Sequence, residues 1–76
     1  MFETLKNVLV EDLQRDPAEI TPEAELANDL GINSIELYEL ATVCEEKFNI
    51  EIEDEDIHKL VTVNDVVKYL EQHSKQ

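Results

Sequence analysis

Apolar residues spaced three and four apart recur from the start of this chain almost to its end, and that spacing is the strongest limit on its fold. Phe2, Leu5, Val8, Leu9 and Leu13 make the stripe of one amphipathic helix. Ile35, Tyr38, Ala41, Cys44 and Phe48 make a second, widened by Leu37 and Leu40, and Val63, Val66, Val67 and Leu70 make a third. Strand-like alternation is confined to "NIEIED", too short for a sheet without a partner, and no Asn-Gly or Asp-Gly hairpin signal occurs. The expected fold is all-α: a small irregular four-helix bundle with three longer helices, one short third helix and a long first loop.

Local signals mark where the helices begin and end. Asn33 can accept a bond from a first-turn amide while Glu36 bonds back to the Asn33 amide, an arrangement like the capping box, which makes Ser34 the first helical residue. Asn49 suits the end of that helix, a short helix is expected near 55–59, and Thr62 with Asp65 caps the last. That helix should end near His73, with the tail 74–76 fraying. Between the first two helices, 16–33 holds Pro17, Pro22 and isolated Ile20, Leu26, Leu30 and Ile32, which reads as a long loop pinned to the core. Loops of that length inside a compact domain are more often functional than idle.

Seventy-six residues leave room for one domain over 1–76, with a thin core of Leu, Ile and Val because only Phe2, Tyr38, Phe48 and Tyr69 are aromatic. Nineteen acidic against six basic residues give a formal charge of −13, which repels nucleic acid and anionic lipid and attracts basic protein patches. The lone Cys44 cannot form an internal disulfide and no signal-type apolar stretch opens the chain, so a reducing, cytoplasmic location is expected. No apolar run approaches the roughly twenty residues of a membrane span. His58 and His73 are too far apart to suggest a metal site, and "EIEDEDIHKL" lacks the glycine and bidentate glutamate of an EF-hand loop.

The chemistry narrows to Ser34. A hydrolase nucleophile needs a base and an oxyanion hole, whereas "GINSI" lacks the second glycine of a nucleophile elbow. The plain alternative is a neutral residue in a first helical turn, where serine is common. A third use is available because the positive end of a helix favours a phosphate, held covalently or not.

The stretch "DLGINSIELYEL" resembles the attachment motif of acyl carrier proteins, usually Asp-Leu-Gly-x-Asp-Ser-Leu followed by an apolar and acidic helix. "EEKFNIEIEDEDIHKLVTVNDVVKYL" is similar to the same family's second-helix end, acidic third-helix region and Thr-Val start of the last helix, in the same order and spacing. The resemblance implies that Ser34 is esterified by 4′-phosphopantetheine taken from coenzyme A, whose thiol carries acyl chains as thioesters in fatty acid, polyketide or another specialised synthesis. The chain would then be a non-catalytic, monomeric carrier. Its expected partners are a phosphopantetheinyl transferase and acyl-transfer, condensing and reducing enzymes with basic docking patches.

By position, the resemblance also implies docking by Ile35, Glu36, Glu39, Thr42, Glu45 and Glu46, whose ordinary alternative is a solvated face. An acyl pocket would be lined by Tyr38, Leu40, Ala41, Cys44, Phe48, Ile57, Leu60 and Val66, residues that a small bundle needs as core in any case. Asn33 stands where the family typically has aspartate, Tyr38 is bulkier than the usual aliphatic, and Thr42 replaces a larger apolar contact. The alternative is an acidic, carrier-like subunit that docks basic partners without being loaded.

Overall fold

The computed structural model describes residues 1–73, so the expected fraying of 74–76 lies outside the described residues. Four α-helices follow one another: α1 (Phe2–Glu11), α2 (Ser34–Phe48), α3 (Asp54–Ile57) and α4 (Val63–His73). α1 packs on α2 and α4, and the short α3 packs on α2.

The first stripe outruns its helix. Gln14 adopts a left-handed backbone (φ 56°), and the Arg15 amide donates to the Leu9 carbonyl at 3.0 Å, closing α1 before the stripe ends. Leu13 therefore belongs to the core, at 6% exposure, without belonging to the helix. The loop that follows is pinned as expected, with Ile20, Leu26, Leu30 and Ile32 all buried together with Ala24. It is more ordered than its composition suggests: Pro17–Glu19 forms a 3₁₀ turn capped by Asp16, whose carboxylate accepts from the Ala18 amide at 2.9 Å. Farther on, Glu25 and Thr62 pair as a single antiparallel bridge. Around it the Leu26 amide donates to the Val61 carbonyl at 2.8 Å, and the Val63 and Asn64 amides donate to Ala24 and Pro22 at 2.9 Å each.

α2 starts at the Asn33 cap and stops at Asn49, whose left-handed backbone (φ 55°) turns the chain away. The buried side of α2 matches the expected one except at Ile35 and Tyr38. Leu40, Ala41 and Cys44 are buried, with Leu37, Val43 and Phe48 packed beside them, whereas Ile35 is 73% and Tyr38 38% exposed. At about 100° per residue, Ile35, Thr42 and Glu46 project opposite Leu37 and Cys44, so only one of the two apolar sides can meet α1. Tyr38, expected among the core and pocket residues, is thus a surface residue.

α3 begins one residue before the expected stretch 55–59 and ends two residues earlier, because its later carbonyls bond in the tighter i+3 pattern: Lys59 to Asp56 at 3.0 Å and Leu60 to Ile57 at 3.2 Å. α4 starts with the expected exchange, the Asp65 amide donating to Thr62 Oγ1 and the Thr62 amide to Asp65 Oδ2, both at 3.1 Å. Backbone bonds to Asp65, led by the one from Thr62, hold its carboxyl below the usual range.

The core is aliphatic. Leu5, Leu9, Leu40 and Leu70 have at most 1% exposure, each contributing about 1.5–3 kcal/mol of hydrophobic stabilisation. Among the described residues no polar or charged side chain is buried and no aromatic is fully enclosed. Burial raises the Cys44 thiol to about 12, with Asp12 and Glu45 adding repulsion, so it is an apolar core residue.

Candidate functional site

The start of α2 is built by a run of local constraints. Gly31 sits in the left-handed region (φ 66°), where an L side chain would be strained even though a Cβ there would meet nothing within 4 Å. The turn lets Ile32 bury itself, its amide donating to the Leu26 carbonyl at 2.8 Å, and brings Asn33 out in extended conformation. Asn33 Oδ1 then accepts from the Glu36 amide at 2.9 Å, and the Glu36 carboxylate accepts from the Asn33 amide at 3.3 Å. Both capping bonds run between Asn33 and Glu36. Ser34, exposed at the first helical position, is left out of them.

Glu36 is held further by Arg15, whose Nη2 donates to Oε1 at 2.7 Å. The guanidinium first, and then the Asn33 amide, keep the Glu36 carboxyl below the usual carboxylate range. The same arginine donates to the carbonyls of Leu30 at 2.7 Å, Leu13 at 2.6 Å and Gly31 at 3.4 Å.

Beside Ser34 lies a mainly apolar cleft of about 210 Å³, walled by Leu26 and Ile32 from the loop, Leu37 from α2, and Leu60 and Val61 ahead of α4. Ser34 supplies the only hydroxyl among its lining residues. Of the pocket residues expected from sequence, Leu60 lines this cleft. Leu40, Ala41, Cys44, Ile57 and Val66 lie in the core, Phe48 is half-buried against it, and Tyr38 faces outward. Sequence reasoning missed Leu26, Ile32, Leu37 and Val61 as walls. Leu26 and Val61 are brought together by the backbone bonds around the Glu25–Thr62 bridge, which no apolar period announces.

The residues expected to dock partners divide into two groups. Ile35, Glu39, Thr42 and Glu46 are exposed on the outer side of α2, and Ile35, Tyr38, Glu39, Thr42 and Val43 surround a shallow apolar depression. Glu36 and Glu45 are instead used by the fold. Glu36 belongs to the cap and the Arg15 pair, and Glu45 accepts from the Ile52 amide at 2.8 Å, fastening the turn after α2. Tyr38 Oη lies 3.4 Å from His58 Nε2 with the rings edge to face, tying the outer side of α2 to the end of α3. Among the described residues no three His, Cys, Asp or Glu side chains converge as a metal site would require.

Residues 3–70 match the family described as phosphopantetheine attachment site, and the acyl carrier protein of Helicobacter pylori (strain J99) is 51% identical over 73 residues, spanning 96% of this chain and 94% of that protein. The chain belongs to the acyl carrier protein family. Similarity to the acyl carrier protein of Wolinella succinogenes is 46% over 71 residues, covering 93% of each chain. The crystal structure of acyl carrier protein from Thermotoga maritima superposes with a TM-score of 0.82 at 26% identity, over 92% of this chain and 81% of that one.

Membership implies covalently attached 4′-phosphopantetheine as cofactor. The residues present fit such a group: an exposed primary hydroxyl outside the cap, at the positive end of a helix, opening beside an apolar cleft. None of the helices among the described residues is long and apolar enough to cross a membrane.

Proposed function

We propose that Ser34 is the attachment point of the phosphopantetheine arm and that this carrier passes acyl groups, as thioesters on the arm's thiol, between enzymes of fatty acid synthesis. The exposed Ser34 hydroxyl, excluded from the capping bonds that its neighbours exchange, carries the reading. Ser34 Oγ forms a bond to the phosphorus nearest the pantetheine in coenzyme A. The pyrophosphate bond breaks, adenosine 3′,5′-bisphosphate leaves with the electron pair, and the hydroxyl proton passes to a base of the transferase. The partial positive charge at the start of α2 favours the resulting phosphodiester anion. Leu37, Leu60 and Val61 offer an apolar wall beside it. The arm, once attached, supplies a thiol for thioester exchange; this chain positions and delivers it without catalysing acyl transfer.

The outer side of α2 is the proposed docking face, with Ile35 and Thr42 as contacts and Glu39 and Glu46 as charges for basic patches on the transferase and the acyl-handling enzymes. Neither glutamate is in an ion pair among the described residues. Exposed charges add little to stability, so one-sided acidity there supports a role in recognition.

Asn33 favours a second reading, a carrier-like subunit that docks partners and is never loaded, since it replaces a charged residue next to the serine. One experiment separates the two: incubate the chain with coenzyme A, Mg²⁺ and a broad-specificity phosphopantetheinyl transferase, then record the intact mass. Loading predicts a gain of one phosphopantetheine unit that Ser34→Ala abolishes. No gain, or a gain that survives the substitution, overturns it.

A further inference from the structure

We propose that Arg15 is a positioning residue for the loading of Ser34, an inference that rests on Ser34 being the attachment point. Arg15 is the chain's only arginine, and its guanidinium joins the segment just after α1 to the turn at 30–31 and the first turn of α2, 15 to 21 residues farther on. It donates to the Leu13 carbonyl behind α1, to the Leu30 and Gly31 carbonyls of the turn, and to Glu36 in the first turn of α2. Its side chain is 20% exposed and that of Glu36 28%, so the contact is shielded compared with an ordinary surface ion pair.

Asn33 and Ser34 lie between the two things Arg15 grips. Upstream, the left-handed Gly31 has the least restricted backbone in the chain, and its carbonyl and that of Leu30 are both held by the guanidinium. Downstream, the Glu36 carboxylate must lie back over the helix start to reach the Asn33 amide, and Arg15 bonds the same Oε1 that accepts from that amide. The arginine therefore fixes both sides of the Asn33–Ser34 link, setting the direction in which the Ser34 hydroxyl leaves the helix. It also commits Glu36 internally, so the charge offered to partners on α2 falls on Glu39 and Glu46.

The fork of donors matters more than the charge. A lysine reaching the same space could neutralise Glu36 but could not hold two carbonyls and a carboxylate in fixed relative directions. A transferred phosphoryl group demands an aligned nucleophile, and small misplacements are expensive in rate. A misaligned hydroxyl lowers the rate of the bound complex, whereas a lost docking charge weakens formation of that complex.

The test uses the full chain, with coenzyme A and a phosphopantetheinyl transferase, and reads two independent quantities: kcat and KM for loading, and residue-resolved amide exchange before loading. Arg15→Gln should lower kcat about tenfold while KM changes less than twofold. Amide protection at Ile32 and Glu36 should fall about tenfold, with Leu9 and Leu70 unchanged. Arg15→Lys should recover only part of kcat.

Unchanged kcat in Arg15→Gln, an effect confined to KM, full recovery by lysine, or protection lost equally at Leu70 would each overturn the proposal. Failure of the underlying reading looks different, because mass gain would then be absent in the parent chain or would survive Ser34→Ala.

Discussion

Replacing Asn33 by alanine and replacing Ser34 by alanine alter adjacent residues on the same turn, yet the structure assigns them opposite consequences. Asn33→Ala removes the acceptor for the Glu36 amide, one of the donors a helix start leaves unpaired. Glu36 keeps its bond to the Asn33 backbone and to Arg15, so half of the exchange survives. Loss of such a cap costs about 1 kcal/mol, within a range of roughly 0.5–2. In a domain of this size about 1 kcal/mol lowers Tm by roughly 4–8 °C.

Ser34→Ala removes an exposed hydroxyl from a first-turn position and substitutes the best helix former, so stability should stay within about 0.5 kcal/mol of the parent or rise. Loading, by contrast, should vanish in Ser34→Ala and persist in Asn33→Ala. Thermal and urea melts followed by far-ultraviolet circular dichroism, paired with intact mass after transferase treatment, measure both quantities on the same samples. A Ser34→Ala variant destabilised as much as Asn33→Ala would mean that the hydroxyl is structural, and the separation of cap from attachment point would be wrong.

Four further outcomes are expected. Leu70→Ala, at a fully buried position of α4, should cost about 2–5 kcal/mol in urea melts, enough to unfold much of a marginal domain. Glu39→Lys with Glu46→Lys should slow association with a partner enzyme most at low salt without lowering Tm; equal turnover by that enzyme would refute their docking role. Raising ionic strength should raise Tm of the parent chain, since a net charge of −13 opposes compaction, and a midpoint indifferent to salt would count against this. The lowered carboxyl of Asp65 stabilises the fold above the ordinary carboxylate range and loses that contribution as pH falls through its native value, so Asp65→Asn should flatten the acid limb of stability against pH.

What could be read from the residues alone was whatever four consecutive positions decide. Asn33 with Glu36 and Thr62 with Asp65 form reciprocal caps because donor and acceptor lie three residues apart, whatever the rest of the chain does. The inner side of α2 was not legible in that way. Ile35, Leu37, Tyr38 and Leu40 give the helix apolar residues nearly all round, and packing against the rest of the core, not periodicity, selects Leu37, Leu40 and Cys44 over Ile35 and Tyr38. Arg15 carried no signal either, because its partners Leu30, Gly31 and Glu36 lie 15, 16 and 21 residues away. The placement of Ser34 was within reach because its neighbours settle it locally, whereas the walls of the adjoining cleft depend on contacts between distant segments.

The main-chain bonds around the Glu25–Thr62 bridge give the bundle unequal walls. On one side the long loop is zipped to the start of α4 at 61–64, and parting them means breaking a row of backbone bonds together. On the other, α3 is a single turn closed over α2, anchored chiefly by Ile57 and by the side-chain contacts of Asp56 with Tyr69 and of His58 with Tyr38. The two seams therefore differ in what must break to part them: several main-chain bonds at once on one side, individual side-chain contacts on the other. Amide exchange should accordingly be faster across α3 than across 24–26 and 61–64.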